Sequence, residues 1–307
     1  MTAAGIDVGK ASLDLAVDGQ AEVIRFANNC PGIAKLVKRL QRLGTTRIVV
    51  EATGGHEEPL LEACCDAGLW VARVNPRQAR AFASATGELA KTDAIDARIL
   101  ALMARLFADR LRAYVAPPFW QRELRDWLRR RGQVVVLLQA QKQQAAMAPA
   151  VVRKLAARTI AALARERAAI EQTMKDLIDE HATPALRSSK GLGPVFQASM
   201  LALLPELGHL DRRQIAKLTG VAPMNRDSGQ SQGKRRVRGG RAPVRVALYM
   251  ATLSAVRWDP VMKAHYQQLR ERGKLGKVAL VACMRKLLGI INARRRDELR
   301  SEGLALA

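Results

Sequence analysis

The sequence predicts an α/β amino-terminal part, then a long helical stretch, then a mainly helical carboxy-terminal part. Three observations lead there. Short apolar runs alternate with helical periodicities over the first hundred residues. Ala-Pro-Pro-Phe at 116–119 breaks the chain before a helical pattern over 120–182. The remainder strings apolar helices between glycine-containing segments. With 307 residues, 49% of them hydrophobic, the chain can bury a substantial core.

Taken in order, "GIDVGKASLDLAVDGQAEVIRFAN" holds apolar stretches separated by Gly-Lys-Ala-Ser and Asp-Gly-Gln. That pattern predicts two or three antiparallel strands joined by tight turns. Pro31 opens a helix with Ile33, Leu36, Val37 and Leu40 on one face. "TRIVVEA" reads as a buried strand ending in Glu51, and "EEPLLEACCDAG" as a helix closed by Gly68. "LWVARVN" is a second buried strand, stopped by Pro76, and helices follow near 77–86 and 93–107. The result is a mixed sheet covered on both faces.

From 120 to 182, Leu124, Trp127, Val134, Leu138, Gln141 and Ala145 keep 3/4 spacing, as do Ile160, Leu163, Ile170, Met174 and Leu177. Arg131 and Arg167 interrupt the stripes, and Pro149 marks a break. A helical hairpin, a coiled-coil arm and an ordinary bundle all fit. Beyond 188, "GLG-P" before an apolar helix resembles half of a helix-hairpin-helix element, and "RRQIAKLTGVAP" repeats the device. A helix at "APVRVALYMATLSAVRW" carries Val246, Met250, Leu253 and Val256 along one side, and a basic helix closes the chain. The expected domains are 1–115, 116–185 and 186–307.

The charge points to a partner. Lys and Arg number 51 against 28 Asp and Glu, a net charge of +23. Such a surplus implies a polyanion, because each cation near a phosphate releases condensed counterions. Nucleic acid is the expected partner. A membrane surface is disfavoured, since no basic amphipathic anchor, secretory signal or spanning run stands out. Cys30, Cys64, Cys65 and Cys283 match no zinc spacing and read as buried free thiols, so a cytoplasmic location is expected.

Two groups of residues carry chemistry. The segment "NRDSGQSQGKRRVRGGR" is basic, glycine-rich and poor in core-forming side chains. Arg226, Lys234, Arg235, Arg236, Arg238 and Arg241 within it, with Arg245 just beyond, are candidate phosphate ligands, and Ser228 sits near its start. The second group is acidic. Asp7 and Glu51 end apolar strands, where sites in such sheets lie. Asp93 and Asp96 stand three apart, on one side of a helix. Each acid alone has an ordinary explanation in a turn, an ion pair or a cap. Together they could hold divalent cations, and two Mg²⁺ ions about 3.5–4 Å apart suit phosphodiester chemistry. His56 follows Glu51 closely and fits a turn better than a ligand. Glu57 and Glu58 favour a helix N-terminus.

"GIDVGKASLDLAV", "VVEATGGHEEPL", "VNPRQARAFASATGELAKTDAIDARILA" and "TGVAPMNRDSGQSQGKRRVRGGRAPVRVALYMA" resemble the transposases of insertion sequence 110 and its 1111-type relatives, in the same order and over nearly the whole chain. The resemblance implies a RuvC-like domain of ribonuclease H fold whose four metal-binding acids (a DEDD set) match Asp7, Glu51, Asp93 and Asp96. It implies a nucleophilic serine at Ser228 in a carboxy-terminal transposase domain. It further implies Mg²⁺, donor and target DNA, a structured noncoding guide RNA that bridges the two DNAs, and a dimer or tetramer. "TGVAP" replaces the Gly-Leu-Ala-Pro of many members, a change without chemical consequence. Three other readings stay open on the residues. One is a metal-dependent nuclease that uses water, with Ser228 a phosphate-binding hydroxyl. The others are an actin-like ATPase, from the first loop, and an inert nucleic-acid scaffold.

Overall fold

The computed structural model describes residues 2–303 except 89, 91, 188–191, 226, 229, 230 and 234, and the backbone alone at 227, 228, 231 and 232. The chain divides into two compact units, Met1–Pro117 and Pro118–Ala307.

The first unit is built on a five-stranded sheet of β1 (Thr2–Val8), β2 (Ser12–Val17), β3 (Val23–Ala27), β4 (Thr45–Glu51) and β5 (Val71–Val74), in the order β3-β2-β1-β4-β5. β2 runs antiparallel to both neighbours, and β4 is parallel to β1 and β5. This is the ribonuclease H-like mixed sheet that the resemblance implies. Helices α1 (Cys30–Arg42) and α2 (Glu58–Asp66) cover one face; α3 (Pro76–Ala85) and α4 (Asp93–Phe107) cover the other. All lie within a few residues of their expected bounds.

Strand alternation sorts the side chains. Ile6, Val8, Leu13, Leu15, Ile48 and Val50 pack beneath Ile33, Leu36 and Leu40 of α1 and Leu60 and Leu61 of α2. Ala3, Val49 and Val74 pack against Ala79 of α3 and Leu100, Met103 and Ala104 of α4. Each fully buried Leu or Ile contributes about 1.5–3 kcal/mol.

The second unit opens with α5 (Phe119–Met147) and α6 (Ala150–His181), an antiparallel hairpin turned at Ala148–Pro149. Leu124, Val134, Ile170, Met174 and Ile178 fill its seam, and its base packs on Ala198 and Ala202. The two arginines that break the sequence stripes meet one acid: Arg131 bonds Glu171 at 2.9 Å, and Arg167 lies 3.8 Å from it. The hairpin reading therefore holds, while the seam alternates apolar contacts with this ionic cluster.

The rest is α7 (Pro184–Arg187), α8 (Pro194–Leu203), α9 (Arg212–Thr219), α10 (Ala242–Trp258), α11 (Pro260–Glu271) and α12 (Gly276–Ser301), packed on Phe196, Met200, Ile215, Leu248, Leu287 and Ile291. Two expectations are corrected here. Val246 and Met250 of α10 are exposed, and the buried face carries Val244, Leu248, Ala251 and Ala255. The helix is apolar on nearly every side, so periodicity could not choose the face. At the N-terminus of α9 the N–H groups of Arg213 and Gln214 are already taken by Asp211, which leaves them unavailable to a phosphate. The first such device begins in residues 188–191, outside the described residues. Among the described residues, no helix is long and apolar enough to cross a membrane. Cys64 and Cys283 are buried as expected; Cys30 is exposed.

Candidate acid cluster and basic hairpin

The acid cluster starts from strand register. Asp7 of β1 faces Asp14 of β2, and Asp14 faces Arg25 of β3. On the other side Ile6 pairs with Val50, so the next residue along, Glu51 of β4, flanks Asp7. One row across four strands thus reads Arg25, Asp14, Asp7, Glu51, on the face covered by α4.

Helix α4 brings the remaining acids. Thr92 caps it by accepting from the N–H of Ile95. Its first turn carries Asp93 and Asp96. The helix lies directly on the strand at Gly5, where a Cβ would strike the backbone of Ala97, Leu100 and Ala101. Small residues set this approach, with Ala16 of β2 packed against Ala97 and Ala101.

The carboxylates feel one another. Burial, then Asp93, Asp96, Glu51 and Asp14, push the Asp7 carboxyl up to about 6. Asp7, Asp14 and Asp93 each place a carboxylate oxygen within 4.8 Å of the others. Hard oxygen donors gathered at this density, with one acid already resisting ionisation, fit a divalent cation that would relieve the repulsion. Glu51 and Asp96 line a cleft of about 340 Å³ with Arg77 and Arg80 of α3.

The loop after β4 is held from within. Glu57 accepts from the N–H groups of Thr53 and Gly55 at 3.0 and 2.8 Å. Burial alone would raise its pKa, but these bonds and the charge of Arg73 hold it below the ordinary range. His56 is exposed in this turn, with its carbonyl accepting from Asn28 Nδ2. Four residues of this neighbourhood carry no mark in the sequence reading: Asp14, Arg25, Arg77 and Arg80. Asp14 had a signal, because it alternates with Leu13 and Leu15 as Asp7 alternates with Ile6 and Val8.

The basic segment is a nested hairpin. β6 (Pro223–Met224) pairs with β9 (Arg236–Val237), and β7 (Asp227–Ser228) pairs with β8 (Ser231–Gln232). The backbone of Ser228 therefore lies in the inner ladder, opposite Ser231. Arg235, Arg236 and Arg238 are exposed. Arg226 and Lys234 lie outside the described residues.

Arg241 and Arg245 bond to the protein. Arg241 grips Glu206 through two bonds of 2.6 Å and the Leu203 carbonyl at 2.8 Å. Its N–H donates to the Leu218 carbonyl at 2.9 Å. Arg245 donates to the Gly239 carbonyl at 2.5 Å. With Gly220 against Gly240, these contacts close the neck of the hairpin.

Comparison with known proteins adds the following. The DEDD transposase profile of the IS110 family matches residues 4–148, and the profile described as the IS116/IS110/IS902 transposase family matches residues 183–267. The pilin gene-inverting protein of Moraxella lacunata is 26% identical over 93% of this chain and 93% of its own. The insertion element IS900 42 kDa protein of Mycobacterium paratuberculosis is 33% identical over 52% of this chain and 42% of its own. The RuvC structure from T. thermophilus in complex with a Holliday junction substrate aligns with a TM-score of 0.31 at 19% identity, covering 37% of this chain and 99% of that one. Two profiles of one family, matched in order on the acid-bearing sheet and on the helical part that holds the basic hairpin, show that the chain belongs to the IS110 family of transposases.

Proposed function

We propose that the protein cuts and rejoins DNA through a serine nucleophile, Ser228, with a divalent-ion site formed by Asp7, Glu51, Asp93 and Asp96. Mg²⁺ is the ion and an element-encoded noncoding RNA is the guide in this reading. The protein works as a homo-oligomer on donor and target DNA. One observation carries it: acids from three separate segments of the sequence gather at one end of the sheet, where Asp7 and Asp93 place carboxylate oxygens within 4.8 Å of each other and Glu51 flanks Asp7 in the next strand.

In this reading the Ser228 hydroxyl oxygen bonds to a DNA phosphorus. One phosphorus–oxygen ester bond of the strand breaks, and the serine proton ends on the departing oxygen or on water. Attack of another strand's hydroxyl on the phosphoserine restores Ser228 and closes the new strand. A divalent cation, when bound, supplies charge for the attacking and leaving oxygens. Arg226, Lys234, Arg235, Arg236 and Arg238 hold phosphate oxygens near Ser228, and Arg77 and Arg80 do so beside the acids. Relegating sequence choice to base pairing lets the protein read backbone and shape.

The test is incubation with nicked suicide DNA and the element's flanking noncoding RNA, followed by mass spectrometry of Ser228. The expected product is a covalent DNA adduct that needs both RNA and Mg²⁺ and vanishes in Ser228→Ala. Cleavage that persists in Ser228→Ala would establish water as the nucleophile. An adduct that forms equally without RNA would remove the guide from the reading.

A further inference from the structure

Asp14 is a fifth carboxylate beside the four acids of the proposed site. It is 5% exposed and stands opposite Asp7 in the β1–β2 ladder. By distance alone it belongs with Asp7 and Asp93. Its hydrogen bonds argue the other way. Arg25 Nε donates to Asp14 Oδ1 at 2.8 Å, and Arg25 Nη2 donates to Asp14 Oδ2 at 3.0 Å. Both oxygens are thus held by one guanidinium in a two-pronged pair. The same Nη2 reaches Asp93 Oδ2 at 3.3 Å.

We propose that Arg25 withholds Asp14 from the divalent-ion site, so that the set is Asp7, Glu51, Asp93 and Asp96. The inference rests on the reading that these acids hold a divalent cation. Its physical content is charge and ligand count. A carboxylate this buried needs a partner, either a cation of the protein or a bound ion. In this structure Arg25 is that partner. Without it, the site would gain a fifth anionic ligand, which would lower the effective positive charge of the ion and repel an approaching phosphodiester. Arg25 is therefore a positioning residue, acting through Asp14.

The experiment measures Mn²⁺ binding to the full chain by calorimetry and by the electron paramagnetic resonance of free Mn²⁺. It compares wild type, Arg25→Gln, Asp14→Asn and the double variant, with circular dichroism as the check on folding. Arg25→Gln should bind Mn²⁺ at least about fivefold more tightly, since a nearby positive charge is gone and Asp14 is released. The double variant should return to within about threefold of wild type, because the two lost charges cancel. Asp14→Asn alone should bind more weakly, as Arg25 then faces Asp93 without its partner. A double variant about tenfold weaker than wild type would make Asp14 a ligand and overturn the proposal. Unchanged or weaker binding by Arg25→Gln overturns it too. If Arg25→Gln does not fold, the double variant alone decides by the same limits. Wild type that binds no Mn²⁺ overturns the divalent-ion reading together with this one, whereas failure in the variants alone overturns only this one.

Discussion

Gly5 of β1 and Ala101 of α4 touch backbone to backbone, with no room for a Cβ between them. That contact sets the height of α4 above the sheet, and so the height of Asp93 and Asp96 above Asp7. Gly5→Ala must move the helix or bend the strand. Overpacking of this kind costs about 1–3 kcal/mol. A lower melting temperature and weaker Mn²⁺ binding are expected together. Unchanged Mn²⁺ affinity in a destabilised variant would show that α4 position does not govern the acids.

The pH dependence of the metal-free chain follows from Asp7. Its carboxyl, ordinarily near 3.8, is pushed up to about 6 by burial and by Asp93, Asp96, Glu51 and Asp14. The folded state therefore holds a proton that the unfolded state releases first. Stability contributed by this group is present below pH 4 and is lost as pH rises through 6. A rise from 3.8 to about 6 corresponds to at most about 3 kcal/mol, and partial exposure reduces that to about 1–2. Asp7→Asn should remove the loss and make the metal-free protein more stable at pH 7, while abolishing cleavage. Mn²⁺ affinity should climb from pH 5 and level off above 6.5, a curve that calorimetry at several pH values records. A flat curve would place the ion elsewhere.

Much of the first unit is legible in the sequence. Strand alternation around Ile6, Leu15 and Val50 and the helix face of Ile33, Leu36 and Leu40 are local patterns, and local patterns survive folding. Asp14 and Arg25 are not legible there, because their pairing depends on the register of β2 against β3, which sequence spacing does not report. The α10 face was misread for a related reason: a helix apolar all round carries no directional signal. Arg241 shows a further limit. A run of arginines looks uniform in sequence, yet only tertiary contacts separate a residue that meets Glu206 from its exposed neighbours Arg236 and Arg238.

The neck of the basic hairpin gives another expected outcome. Gly240 has φ +71°, and a Cβ there would strike the backbone of Thr219 and Gly220. Gly240→Ala combines a left-handed backbone with that clash, so a loss of about 2–4 kcal/mol is expected. The Ser228 adduct should fall with it, since the ladder that carries Ser228 begins beyond this neck. A melting temperature equal to wild type would mean that the two chain ends need not touch.

The arginines of the hairpin divide into two kinds, and salt titration separates them. A side chain that neutralises one DNA phosphate contributes about 0.9 to the slope of log Kobs against log salt. Arg236 and Arg238 are exposed, so Arg236→Ala and Arg238→Ala should each lower the slope by about that amount with little change in melting temperature. Arg241 differs because its guanidinium already holds Glu206 and the Leu203 carbonyl. Arg241→Ala should leave the slope near wild type and lower the melting temperature. Glu206→Gln should also lower the melting temperature, being a change to the same pair. If Arg241→Ala lowers the slope as Arg236→Ala does, the Glu206 pair opens when DNA binds, and Arg241 joins the phosphate ligands. Fluorescence anisotropy of nonspecific duplex DNA between about 50 and 200 mM salt covers the range in which such slopes are resolved.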